Sequence, residues 1–193
     1  MRKSMKEVTP LNSYEQNMLT KARQLIPSDP PAPWRYVQDI EAPSLIAAGW
    51  DPDENLVLIS QAGYSINVAH TRKQLLLDLD ADVYTHLTER RLRFHIPKSQ
   101  TTINVFGVTS GDGIHYMRSG EEVWILNIIY PWWPRGLVTL RPPVLGGRGL
   151  WKKTTALKLL LVGGEWMRCG FSPSGEHFVV IGSQGAEVFT RRP

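Results

Sequence analysis

The chain has 193 residues, which allows one domain or two small ones, and its 42% hydrophobic and 21% charged residues exclude a disordered chain. Its net charge of +4 is small and only mildly favours a nucleic-acid partner. The single cysteine, Cys169, excludes an internal disulfide and a multi-cysteine zinc site, and it indicates a reducing compartment.

The amino-terminal residues are charged, and no apolar signal-peptide core follows them. The longest apolar run, residues 157–162 interrupted by Lys158, is too short to cross a bilayer. We therefore expect a cytoplasmic protein that has no contact with a membrane.

The first part of the chain predicts a helix followed by a stiff connector. Apolar residues fall at helical spacing from Leu11 to Ile26, and Pro27 ends this amphipathic pattern. Residues 27–33 include four prolines, which are incompatible with a helix or an inner strand. We therefore divide the chain into an N-terminal helix with a Pro-rich connector (1–33) and a single β-rich domain (34–193).

The remainder is rich in turn signals, and one pattern occurs twice. Residues 49–68 and 166–191 each contain an aromatic residue, a proline turn, a β-compatible run, a glycine turn and a second strand. Pro52 and Pro173 mark the first turn of each copy, and Gly63 and Gly185 mark the second. Alternating strands and hairpin turns between residues 92 and 129 extend the β pattern through the middle of the chain.

The run Gly170-Phe171-Ser172-Pro173-Ser174-Gly175, followed by an apolar strand and a glycine turn, resembles a blade of a β-propeller of the WD-repeat-like kind. The resemblance covers residues 49–68 and 166–191 and implies blade-like antiparallel units. The expected fold class is therefore mainly β, with antiparallel hairpin units arranged as propeller-like blades or packed sheets, and with an N-terminal amphipathic helix.

Four acidic residues have the spacing of positions 1, 3, 5 and 12 of an EF-hand calcium loop: Asp78, Asp80, Asp82 and Glu89. The sixth position, where the loop requires glycine, is Val83. Strand alternation explains the pattern more simply, with Asp78 and Asp80 facing water and three leucines facing inward, namely Leu75, Leu77 and Leu79. We therefore expect no metal site.

No catalytic signature is present in the sequence. The five histidines lack the spacing of a metal site, and no Gly-x-Ser-x-Gly elbow or phosphate-binding loop occurs. Cys169 is expected to be a buried structural thiol. We expect no catalytic residue and no cofactor. The enzyme alternative is an unrecognised site around Asp112, His115 and the acidic residues 78–82.

Binding residues are better represented, because tryptophan and arginine concentrate in the second half of the chain. Both residue types dominate interface hot spots. The predicted binding residues are Trp132, Trp133, Arg135, Arg141 and Arg148. These residues favour a non-catalytic protein-binding module, a small accessory partner of the kind that bacterial immunity and regulatory proteins represent.

The alternative partner is single-stranded nucleic acid. Aromatic side chains would stack on bases while arginines follow the backbone, and Arg90, Arg91 and Arg93 would add to that surface.

Overall fold

The computed structural model describes residues 12–119, 122–132, 135–141, 154–160 and 166–192, and the statements below concern these residues. They form a mainly β structure, as the sequence predicts, with three antiparallel sheets. The helical elements are α1 (Ser13–Gln24), α2 (Val83–His86) and a 3-10 turn (Glu89–Arg91). The strands are β1 (Arg35–Glu41), β2 (Leu45–Trp50), β3 (Leu56–Ser60), β4 (Gly63–Asn67), β5 (Gln74–Asp78), β6 (Leu87–Thr88), β7 (Arg93–His95), β8 (Thr102–Gly107), β9 (Tyr116–Ser119), β10 (Glu122–Trp132), β11 (Arg135–Arg141), β12 (Thr155–Ala156), β13 (Met167–Phe171), β14 (His177–Gly182) and β15 (Gly185–Thr190).

The predicted repeat is confirmed as two three-stranded meanders. The first consists of β2, β3 and β4, and the second consists of β13, β14 and β15. Their proline turns also correspond in conformation, because Glu54 (φ 60°) and Gly175 (φ 69°) occupy the same left-handed position. A side chain at Gly175 would also meet Met117, since an added Cβ would lie 2.2 Å from its terminal methyl carbon.

The four-stranded sheet of the second meander is the middle layer of the fold. Its order is β1-β15-β14-β13, so β1 pairs with the last strand of the chain. Every residue of β14 and β15 is buried. On β14, Phe178 and Val180 face one apolar core, while Val179 and Ile181 face another. Both faces of this sheet are therefore covered, which explains its continuous apolar strands.

The layer on one side is the sheet β12-β11-β10-β9. It contributes Trp124, Leu126 and Leu140 to the core that contains Phe178. Helix α1 packs against β10. The connector also joins this sheet, because the backbone amide of Ser28 donates to the carbonyl of Ala156 at 2.9 Å.

The layer on the other side is a seven-stranded sheet with the order β5-β4-β3-β2-β8-β7-β6. It curls, so that its two ends meet: the hydroxyl of Tyr64 on β4 donates to the carbonyl of Pro97, just beyond β7, at 2.9 Å. The ring of Tyr64 also lies edge-on to that of Phe94 on β7, with centroids 5.6 Å apart. The curled sheet encloses a third core on the side away from the middle layer.

The sheets are packed layers. In a propeller each blade is a separate sheet. Here β8 pairs with β2, so that the first meander and the later strands β6, β7 and β8 belong to one continuous sheet. The described sheets therefore do not support separate propeller blades. Among the described residues, no helix has the length and apolar character needed to cross a membrane.

Candidate functional site

Of the predicted binding residues, the structure describes the backbone positions of Trp132, Arg135 and Arg141. Trp132 and Arg135 are cross-strand partners where β10 and β11 meet. Arg141 lies at the opposite end of β11, about 20 Å away at the usual rise of a strand. Trp133 and Arg148 lie outside the described residues.

Strand β10 continues through Pro131 to Trp132, and its register with β11 shifts between Ile129 and Trp132. Such an irregularity is where a strand tolerates proline, because the ladder there does not need the missing amide proton. Pro131 therefore does not end the strand, and residues 135–141 form the next strand.

The orientation predicted for β5 is wrong. Leu75, Leu77 and Leu79 are 47%, 55% and 61% exposed, whereas Asp78 is only 8% exposed. The register of the strands explains why the leucines are exposed. Leu77 pairs with Ser65 on β4, and Ser65 pairs with Leu58 on β3. Leu58 and Ser65 are buried on the face that the middle sheet covers. Leu77 lies one strand further out on that face and remains uncovered.

Asp78 faces the third core, where a specific partner compensates its burial. The Nζ atom of Lys98 lies 2.6 Å from its carboxylate, and the amide of Asp80 donates to it at 3.2 Å. The hydrogen bond from Lys98 holds the pKa of Asp78 below its usual value. The same bond raises the pKa of Lys98. This pair is a structural link between β5 and the loop after β7.

We use the term β5 edge for the exposed strand Gln74–Asp78 together with its flanking residues 72–73 and 79–82. β5 is the terminal strand of its sheet among the described residues, so one side of its backbone has no strand partner there. Exposed Arg72 and Lys73 precede the strand, and exposed Asp80 and Asp82 follow it. The edge therefore combines free main-chain groups, an apolar stripe and charges of opposite sign at its ends.

The residues of the enzyme alternative are not gathered in one place. Asp112 and His115 are 3.8 Å apart, and Asp112 accepts a hydrogen bond from the amide of Cys169 at 3.3 Å. Asp112 lines a cleft of about 340 Å³ that also includes Trp50. Asp78, in contrast, belongs to the curled sheet and is not among the residues that line this cleft. Burial raises the pKa of the Cys169 thiol well above its usual value, so it is not a nucleophile in the folded protein.

A group of residues that the sequence did not point to forms where the two proline turns meet. Ser174, in the turn of the second meander, donates two hydrogen bonds to the carboxylate of Glu54, in the turn of the first. Glu176 lies in the same second turn, and the guanidinium of Arg192 forms a hydrogen-bonded ion pair with its carboxylate. His177, the first residue of β14, follows directly. We refer to Glu54, Ser174, Glu176 and His177 as the turn junction.

His177 is the buried member of the turn junction and is only 1% exposed. Its ring is stacked with those of Trp50 and His70, with both pairs of ring centroids 6.1 Å apart and both pairs nearly parallel. Among the described residues, neither ring nitrogen has a hydrogen-bond partner. Burial, with a further contribution from the charge of Arg192, lowers the pKa of His177 to about 4. The imidazole is therefore neutral at pH 7, and one nitrogen carries a free lone pair.

The sequence did contain one signal for this group. Aligning the two meanders places Glu54 opposite Gly175, one position before Glu176, although the two glutamates lie far apart in the chain. The spacing rules for metal and catalytic motifs search along the chain and do not detect such a pair. No protein-family model, curated protein or solved structure matches this chain.

Proposed function

We propose that the protein is a non-catalytic protein-binding module that docks an extended segment of a partner protein on the β5 edge. The observation that carries the proposal is the exposure of Leu75 and Leu77 on a terminal strand and of Leu79 directly after it. In strand addition, hydrogen bonds of the main chain provide affinity, and pockets or stripes for alternate side chains provide specificity.

The composition of the β5 edge supports binding rather than protection. Sheet edges are usually guarded by charged or proline residues along the strand, because an open apolar edge invites pairing. Here the one charged side chain within the strand, Asp78, is buried and paired with Lys98, and the exposed side chains are those of Gln74, Leu75 and Leu77. Contiguous exposed apolar groups on a folded surface commonly mark interaction sites.

The charges at the two ends define the chemistry of the partner segment. A strand that pairs with β5 would carry apolar residues at alternate positions, so that they meet Leu75 and Leu77. It would place acidic side chains beside Arg72 and Lys73, and basic side chains beside Asp80 and Asp82. A segment bound in the opposite direction would place like charges together at both ends of β5 and would be repelled. The charges therefore select the direction in which the segment binds.

Two finer features belong to the same proposal. The module acts in the cytoplasm, which the buried, unpaired thiol of Cys169 supports. Its role is that of an accessory or regulatory partner, since the β5 edge offers a binding surface.

The test is capture of partners from the native cell by the tagged full chain, after nuclease treatment. Three proteins are compared: the wild type, Leu77→Lys, and the matched control Tyr116→Lys. Tyr116 is 71% exposed and lies on β9, the terminal strand of a different sheet. We expect a partner that the wild type and Tyr116→Lys retain and that Leu77→Lys loses. Cross-linking should place that partner's contact within residues 72–82.

Two results would refute the proposal. One is an identical set of captured proteins for all three chains. The other is self-association of the wild type that Leu77→Lys abolishes while nothing else is captured, because the β5 edge would then be an interface between copies of this chain.

A further inference from the structure

The turn junction brings together three groups of the kinds that bind metal ions. One ligand atom each from Glu54, Glu176 and His177 can be chosen so that all three lie within 4.8 Å of one another. The two glutamates are half-buried, and the histidine is buried. The three residues come from two separate meanders, so the tertiary fold alone creates their proximity.

The state of His177 is the second, independent observation. Its side chain is 1% exposed, and no group in the described part of the chain forms a hydrogen bond with Nδ1 or Nε2. Buried polar atoms in proteins are nearly always satisfied, and an exception calls for an explanation such as an ion. The rings of Trp50 and His70 are both stacked with the imidazole, with centroids 6.1 Å from its own. The two nitrogens lie at the edge of the imidazole ring, which is the side from which a metal ion binds.

We propose that Glu54, Glu176 and His177 bind a divalent first-row transition metal ion, with Zn²⁺ as the best match. Imidazole nitrogen favours zinc and its neighbours over Mg²⁺ and Ca²⁺, which prefer oxygen-only sites. Three protein ligands leave a fourth tetrahedral position for water or for a group of a bound molecule. Ligand distances of about 2.0–2.2 Å require the carboxylates to move closer to the imidazole, and half-buried glutamates have the freedom to do so.

Two neighbouring residues modulate this site. Ser174 donates its amide and its hydroxyl to Glu54, at 2.6 and 2.5 Å, and so orients that carboxylate as an outer-shell partner does. Arg192 acts in the opposite direction, because its guanidinium is bound to Glu176 and repels a cation. Arg192 is therefore a residue whose removal should strengthen binding.

The experiment is titration of the full chain with Zn²⁺ after treatment with a chelator, followed by calorimetry with a competing chelator. We expect one Zn²⁺ per chain. Glu54→Gln and Glu176→Gln should each weaken binding at least about tenfold, which is the scale of losing a metal-orienting contact. Asp53→Asn is the matched control, because Asp53 is an exposed carboxylate of the same turn outside the metal-binding group, and its affinity should not change. Arg192→Gln should bind Zn²⁺ several-fold more tightly.

Co²⁺ provides a second readout, because its visible absorption reports tetrahedral coordination. The spectrum should appear in the wild type and disappear in Glu176→Gln, while circular dichroism in the presence of chelator confirms that both chains are folded. Ca²⁺ at the same concentrations should not compete.

The proposal is overturned if the folded wild type binds no Zn²⁺ at micromolar concentrations. It is equally overturned if both glutamine variants keep the wild-type affinity. The proposal is also overturned if both glutamine variants bind Zn²⁺ like the wild type and only His95→Gln loses binding. That loss would place the ion at the stacked pair of His86 and His95, whose ring centroids are 6.1 Å apart.

Discussion

The carboxylate of Glu54 accepts two hydrogen bonds from Ser174, one from the backbone amide at 2.6 Å and one from the hydroxyl at 2.5 Å, across 120 residues of sequence. This contact joins the proline turns of the two repeated meanders. It therefore connects the curled seven-stranded sheet to the middle sheet at a point outside their shared apolar core.

This contact should contribute measurably to stability. Ser174→Ala and Glu54→Gln should each lower the free energy of unfolding by about 1 kcal/mol, the usual net contribution of a hydrogen bond. The double variant should lose less than the sum of the two, with a coupling of about 0.5 kcal/mol or more. Urea denaturation of the four proteins of this cycle measures both quantities. Strict additivity would mean that the two side chains do not interact in solution.

The pair of Asp78 and Lys98 should make stability depend on pH. Because the folded-state pKa of Asp78 is lowered, its contribution is present above the unfolded-state value and is lost as the pH falls through the folded-state value. The pKa of Lys98 is raised, so its contribution persists through neutral pH and is lost only in strongly alkaline solution. The difference in unfolding free energy between the wild type and Asp78→Asn should therefore be larger at pH 7 than at pH 3. A difference that does not change over this range would show that the ion pair is absent.

The buried imidazole of His177 should be replaceable by a ring without nitrogen atoms. In the presence of chelator, His177→Phe should change the free energy of unfolding by less than about 1 kcal/mol, because stacking on Trp50 and His70 is kept and two polar atoms without a partner among the described residues are removed. His177→Ala leaves a cavity and should cost roughly 3 kcal/mol. Addition of Zn²⁺ should raise the melting temperature of the wild type but not that of His177→Phe. An equal rise in melting temperature in both proteins would show that His177 does not bind the ion.

Cys169 should be inert in the folded protein. Its side chain is 0% exposed, and burial raises the pKa of its thiol. Only the thiolate reacts with a disulfide reagent such as Ellman's reagent, so labelling must wait for the chain to open. We expect a labelling rate that follows the unfolding rate as urea is added. Rapid labelling of the native protein in the absence of urea would contradict the burial of this strand.

The sequence predicts the meanders well because their signals are local. A proline and a residue with positive φ define each first turn, and Gly63 and Gly185 occur at the second turn of the two copies. Both glycines have a φ that other residues rarely adopt, 144° and 152°. Such turns form from a few adjacent residues, whatever the remainder of the chain does.

The orientation of β5 could not be obtained in the same way. A period of two identifies the two faces of a strand but does not reveal which face another layer covers. The curled sheet has cores on both faces, and the middle layer does not reach its last strand. Leu77 is exposed for that reason, and Asp78 is buried because Lys98 reaches it from a loop 20 residues later. The turn junction escaped prediction for a similar reason, since its members are neighbours only after two sheets have packed.

The interface predicted around Trp132 and Arg135 stays a prediction, because nothing in the structure tests it. The β5 edge has the clearer basis, since its exposed leucines and unpaired backbone are features of described residues.

The most direct test of the central claim is amide hydrogen exchange across residues 72–82, measured on the free chain and on its complex with the captured partner. Strand addition predicts that alternate amides of β5, those facing away from β4, exchange at least about tenfold more slowly in the complex. Unchanged exchange over β5, together with slowing on another strand, would contradict docking at this edge.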